Sequence, residues 1–241
     1  MAVDAAEVKR LTDEFKNSAG FKVHSDINND RRNLRIVSRN KDDLVHSVAA
    51  LNKQLAPNPA GGSNESPSLA LALEEVARRL ESFVSSAYDL IDYTRRHCRK
   101  VYGQVEFGKE IQSEIDRRFI YEPDFKLAQG LRSISAHVGT LQVSLNLAPG
   151  KERAKDAPFK VQTKELLGWD EWNDNQRSLL ESMQEDVDIH ELAGRYFRKM
   201  EEFYSWLWKR ESEVHSAELA EAERLRLRAK EAYDKLFPPA A

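Results

Sequence analysis

Only one cysteine, Cys98, occurs in 241 residues. A single thiol excludes an intramolecular disulfide and every metal motif built on paired cysteines, and it fits a reducing compartment. Long hydrophobic runs are missing too: none approaches the roughly 20 apolar residues that span a bilayer. The start, MAVDAAEVKR, lacks the basic-then-apolar order of a signal peptide. The expectation is a cytoplasmic protein with no membrane contact. An excess of either charge is also lacking, with 37 Lys plus Arg against 40 Asp plus Glu and a formal net charge of -3. Any hold on nucleic acid must therefore come from local basic patches and not from the global field. No glycine-rich loop precedes a Lys-Ser or Lys-Thr pair, which argues against a P-loop nucleotide enzyme.

What is present, 41% hydrophobic and 32% charged residues, suits a soluble chain with one sizeable core and a small appendage. Residues 4–17 carry Val8, Leu11 and Phe15 at helical spacing, with Gly20 as the stop. Residues 21–40 alternate over short stretches, FKVHSD then LRIVSR, and read as a small hairpin or an ordered loop. Helical spacing returns through Leu44, Val48, Leu51 and Leu55. Residues 56–68, rich in proline, glycine and small polar side chains, read as a linker between a small N-terminal extension (1–55) and the main domain (69–215).

The main domain should begin with a long helix to about Lys100, whose stripe includes Leu73, Val76, Leu80, Phe83, Leu90 and Ile91. Its basic end, RRHCRK, has two readings: favourable charge at a helix C-terminus, or an RNA-facing patch. Val105, Ile111, Ile115 and Phe119 suggest a second helix. A third begins near Pro123 and runs towards His137, closed by Gly139. LQVSLNL and the region around FKVQT read as a β-hairpin or an extended excursion. Residues 164–184 resume helical spacing, and of the four tryptophans there and downstream three are assigned to core. Asp188 is placed to cap a further helix, with Glu191 completing a capping-box pattern. Ile189, Leu192, Tyr196, Phe197, Met200, Phe203, Tyr204 and Leu207 form its strongly apolar face. Residues 216–241 should form a C-terminal amphipathic helix, which could pack on the bundle or on a partner.

Several motifs point nowhere. His190-Glu191 opens like a zinc-protease helix, but Gly194 stands where the second histidine ligand is needed. Glu106, Glu110 and Glu114 share a helical face and read as solvated. Arg132 and His137 differ in kind. An imidazole titrating near neutrality can take a proton from a 2′-hydroxyl or return one to the leaving oxygen. A guanidinium can hold the phosphate and offset its developing charge. Together they suffice for transphosphorylation of RNA without metal or cofactor, and not of DNA, which lacks the attacking hydroxyl. Five residues apart on an ideal helix, however, the two side chains leave the axis about 140° apart. Either the helix unwinds around residues 136–139, or a second subunit completes the site across a two-fold axis.

Leu131, Arg132, His137 and Gly139, followed by FKVQTKELLGWDEW and then DIHELAGRYFRKMEEFYSWL, resemble the HEPN domains. These are helical bundles with an Arg, a polar residue and a His a few positions on. The likeness covers roughly residues 68–210. It implies a mainly α fold: an antiparallel helical bundle with a small β-hairpin or extended insertion, here joined to a short α/β or irregular N-terminal extension. It also implies a homodimer acting as a metal-independent endoribonuclease of toxin-antitoxin or phage-defence type, with RNA as substrate and an antitoxin or other protein as partner. His137 would be the general acid or base, Arg132 the phosphate clamp, and Ser133 a hydrogen-bonding neighbour. Ser133 departs from the Asn, Asp or His usual there, and the bare Arg-to-His spacing recurs at Arg39 to His46 and Arg210 to His215. The alternative expectation is a catalytically inactive bundle that serves as a protein-interaction module.

Overall fold

A computed structural model describes residues 4–55, 67–103, 105–138, 160–161, 163–168, 170, 172, 174–182 and 187–238. Helix dominates. In chain order the elements are α1 (Ala5–Lys16), α2 (Ala19–Leu55), α3 (Pro67–Tyr102), α4 (Glu106–Ile115), a π-helical turn (Asp116–Ile120), α5 (Pro123–Val138), β1 (Lys160–Val161), α6 (Thr163–Leu167), α7 (Asp174–Ser182), β2 (Val187–Asp188), α8 (Ile189–Val214) and α9 (Ser216–Leu236). By internal contacts the chain forms two compact units, residues 34–203 and residues 1–33 with 204–241.

The N-terminal part corrects the sequence expectation. Residues 21–40 are neither hairpin nor loop but the interior of α2, and Gly20 sits inside that helix instead of ending α1. The reason lies in the register. Gly20, Ile27, Asp30, Leu34, Val37, Leu44, Val48 and Leu51 are all buried, and with Val23 and Lys41 they complete an unbroken alternation of three- and four-residue steps. Asp30 and Lys41 occupy register positions normally held by apolar side chains, which hides the helical period and leaves a false alternation in view. Lys41 fits by laying its ammonium 4.8 Å from the Phe197 ring centroid.

In the unit formed by residues 34–203, α2 is tied to α3 by hydrogen bonds from Asn40 Nδ2 to Ser86 Oγ (2.9 Å) and the Ser82 carbonyl (3.2 Å). An ion pair of 2.6 Å joins Arg79 to Asp43. The core is aromatic. Phe119 contacts the rings of Phe125, Tyr196 and Phe203 at centroid separations of 6.0, 6.4 and 5.3 Å, and Tyr196 meets Phe83 edge-on. Of the residues foreseen on the α8 face, Ile189, Leu192, Tyr196, Phe197, Met200 and Phe203 are buried in this unit, and Tyr204 and Leu207, also buried, belong to the other unit. Asp188 Oδ1 accepts the Glu191 amide at 3.0 Å, so the cap forms. The Glu191 side chain reaches forward to Arg195 (3.3 Å), so that carboxylate serves a different partner from the one a capping box would give it. Lys160 and Val161 pair antiparallel with Asp188 and Val187, so the extended character expected around FKVQT survives as two residues per strand; LQVSLNL, the connecting tip and Ala56–Ser66 of the linker lie outside the described residues.

In the unit of residues 1–33 with 204–241, Asp4 caps α1 by accepting the Glu7 amide at 2.8 Å. The α9 stripe lies against α1: Ala229 and Ala232 pack with Leu11 and Val8. Gly20 permits a close approach to α9, since a Cβ there would lie 2.0 Å from the Glu218 carbonyl oxygen. Of the tryptophans, Trp172 is buried, Trp206 and Trp208 are half-buried, and Trp169 lies outside the described residues. Among the described residues no helix is long and apolar enough to cross a membrane.

Asp30 carries a consequence for stability. Burial, with a smaller contribution from Asp26 one turn earlier, raises its carboxyl from 3.8 to about 7. Between those values the folded chain holds a proton that the unfolded chain has released, so stability is greatest at the acid end and declines as pH rises to about 7. Asp30→Asn is expected to abolish this decline and to raise stability at pH 7.5 by about 2–4 kcal/mol. Urea unfolding of both proteins at pH 5 and 7.5 measures it; parallel pH dependences would refute the assignment.

Candidate functional site

Two places in the unit of residues 34–203 bear on function: α5, which carries the residues singled out by sequence, and a groove beside the end of α3. Pro123 opens α5, and two ion pairs fix that end to α8. Arg195 grips Asp124 with two of its three nitrogens, Nε at 3.2 Å and Nη2 at 3.1 Å, and Lys199 bonds Glu122. The Asp124 hydrogen bond also raises the Arg195 pKa. Phe125, Leu127, Ala128 and Leu131 are buried along the helix. Gly130 completes the seat: a Cβ there would fall 1.6 Å from Cζ3 of Trp172. The Trp172 indole N–H donates to the Leu166 carbonyl, which locks the ring onto α5.

Arg132, Ser133 and His137 all lie on α5, whose backbone stays helical to Val138. Their side chains, and Gly139, lie outside the described residues. Unwinding is thus absent as far as Val138, and the angle of about 140° between positions five apart holds. The rival spacings lie on other helices. Arg210 pairs with Glu213 at 2.5 Å, and His215 Nδ1 stands 3.6 Å from Glu218. Arg39 and His46 lie within α2.

The groove is built by two turns. At the end of α3, Gly103 takes φ +52°, a conformation that disfavours side chains. Its amide donates to the Arg99 carbonyl at 3.0 Å. Gly108 then lets α4 return tightly, since a Cβ there would lie 2.8 Å from the Gly103 oxygen. Beyond α4 the π-helical turn closes with a bond from the Tyr121 amide to the Asp116 carbonyl, 3.1 Å long. Between these turns lies a cavity of about 840 Å³, lined among others by Arg95, Arg99, Lys109, Gln112, Arg117 and Tyr121. That volume falls within the range of small-molecule sites.

Charge in the groove is unevenly spent. Arg117 is engaged by Glu114 at 2.6 Å, and Lys109 stands a loose 3.9 Å from Glu106. The Arg117 hydrogen bond holds the Glu114 carboxyl below the usual carboxylate range. Arg95 Nε is buried and meets no acceptor among the described residues. The basic end of α3 therefore divides. Arg95 and Arg99, one turn apart, face the cavity with Cys98, while Arg96 pairs with Asp92 at 3.1 Å and His97 stacks on Tyr93. Sequence reasoning marked the α3 arginines but missed Lys109, Gln112, Arg117 and Tyr121. Only the polar face of α4 hinted at the first two, and nothing in the sequence signalled the π-helical turn.

No group of three or more His, Cys, Asp or Glu that could hold a metal ion occurs among the described residues. The Glu106 side chain is 93% exposed, as on a solvated face, whereas Glu114 is 22% exposed and committed to Arg117 and Arg118. Compared with protein-family models, with curated proteins and with solved structures, the chain matches none.

Gly130→Ala tests the seat on α5. Alanine gains about 1 kcal/mol in helix propensity over glycine, yet displacing the Trp172 ring should leave a net loss of about 1–3 kcal/mol and lower Tm by about 2–10 °C. An equal or higher Tm, with unchanged tryptophan fluorescence, would show that the ring is not held there.

Proposed function

We propose that the chain is a HEPN-like helical bundle that dimerises and cleaves RNA without a metal, with Arg132 holding the phosphate and His137 moving the proton. One observation supports the reading: α5 follows the amphipathic pair α3 and α4 and precedes a tryptophan segment and the apolar α8, the order of elements on which the resemblance rests. In such a dimer the Arg132 of one subunit would meet the His137 of the other, which relieves the angular mismatch on a single helix. Ser133 would donate to or accept from the substrate or a neighbouring side chain. An RNA-acting toxin of this kind would be restrained in the cell by an antitoxin or another protein partner.

The second reading, a non-catalytic interaction module, draws on Ser133 and on the exposed Tyr233 and Phe237, whose rings pair at 5.0 Å on the end of α9. It no longer draws on the α9 apolar stripe, which α1 covers.

Purified protein incubated with single-stranded RNA in excess chelator should cut it, and His137→Ala should slow cutting by about 100-fold or more. Equal cutting by His137→Ala would overturn the catalytic assignment. Intact RNA with the unaltered protein would favour the interaction module.

A further inference from the structure

We infer that the groove bounded by the end of α3, α4 and the π-helical turn is a binding site for a small organic polycarboxylate, an acid with two or more carboxylates on a short carbon skeleton. The residues that line it fall between Arg95 and Tyr121, before α5 begins. The inference goes beyond the reading of α5 and does not depend on cleavage there.

The cations stand on two walls. Arg95 and Arg99 come from α3, Lys109 from α4 and Arg117 from the π-helical turn, with Asp116 as the acid among the lining residues. Like charges gathered around one cavity repel until an anion enters it. Burial sharpens this at Arg95, whose Nε meets no acceptor among the described residues. A guanidinium N–H left in that state is costly. A carboxylate is the acceptor that fits the planar fork, through two parallel charge-assisted hydrogen bonds. Arg99 lies four positions on, which puts the two Cβ atoms about 5–6 Å apart on one helix face. It therefore offers a second fork to a second carboxylate of the same molecule.

The rest of the lining bears on what joins the carboxylates. Cys98, Ile111 and Ile115 line the cavity and are buried, so its interior is apolar there and suits a carbon skeleton. Inorganic phosphate has no such skeleton, and in a cavity of about 840 Å³ it would reach the donors of one wall and leave those of the other. Tyr121, the aromatic side chain among the lining residues, is 71% exposed, so a planar base would find no enclosed ring to stack on. The cations are confined to a cavity with the volume of a small-molecule site, and an acidic peptide would carry most of its charge outside it. Gln112 Nε2 donates to Asp116 Oδ1 at 2.8 Å, which leaves the second Asp116 oxygen to accept from a hydroxyl on the ligand.

Binding of citrate, acetate, inorganic phosphate, adenosine 5′-monophosphate (AMP) and a polyglutamate peptide to the full chain is to be measured by calorimetry at physiological salt, in metal-free buffer. Citrate should bind about tenfold or more tightly than acetate or phosphate, because its carboxylates engage several donors at once. Arg95→Gln and Arg99→Gln should each weaken citrate by about tenfold or more. Lys109→Gln, on the other wall, should weaken citrate by about threefold or more and leave phosphate unchanged. A merely structural role would not separate the two anions. Arg96→Gln, which removes the partner of Asp92, should change nothing. Arg99 and Lys109 are exposed, so their variants keep the test open if Arg95→Gln fails to fold. Absence of citrate binding at millimolar concentration would overturn the inference. So would acetate or phosphate binding as tightly as citrate, AMP or polyglutamate binding more tightly, or Arg99→Gln and Lys109→Gln binding citrate as the unaltered protein does. Citrate binding in a protein that leaves RNA intact would count against the cleavage reading alone, and RNA cutting without citrate binding against the groove alone.

Discussion

The burial of Phe119 through the π-helical turn is the constraint on which the unit of residues 34–203 depends. A regular helix from Glu106 onward would keep each side chain about 100° from the last. The turn at Asp116–Ile120, closed five residues apart by Tyr121 and Asp116, adds a residue and shifts that register. Phe119 then lies fully buried among Phe125, Tyr196 and Phe203. Each ring pair contributes about 0.5–1.5 kcal/mol beyond area burial, and together they join α5 and α8 to the α4 segment. The same turn holds Asp116 and Arg117 at the groove wall and Tyr121 at its edge. A local departure from α-helical geometry thus serves packing on one side and a cavity on the other.

Alpha-helix existence was legible wherever the apolar stripe was pure. For α3, α5 and α8 the spacing of Leu, Ile, Val and aromatic side chains marked the buried face, and Asp188 marked a start. Reading failed in α2, because Asp30 and Lys41 stand at buried register positions and break the visible period. Burial of Asp30 is tolerated with a proton retained, and Lys41 by resting on Phe197. Neither compensation shows in one dimension. The mainly helical class was sound; the irregular N-terminal extension was not.

The candidate sites were less legible still. Arg132 and His137 stand at a spacing that the chain repeats elsewhere, on a helix that stays continuous to Val138. The groove is set by backbone events: a glycine with positive φ at position 103, a close approach at Gly108, and the π-helical turn. Such features decide which of several arginines face a cavity. RRHCRK contained both an inward pair, Arg95 and Arg99, and an outward pair, Arg96 and His97, and only the helix phase against α4 distinguishes them.

The most direct measurement is amide chemical-shift mapping of the full chain titrated with citrate in metal-free buffer. The account predicts that the largest changes fall within residues 95–103 and 108–121, with the amides of Gly103 and Tyr121 prominent because they close the two turns that shape the groove. Changes confined to other residues, or none at millimolar ligand, would contradict it.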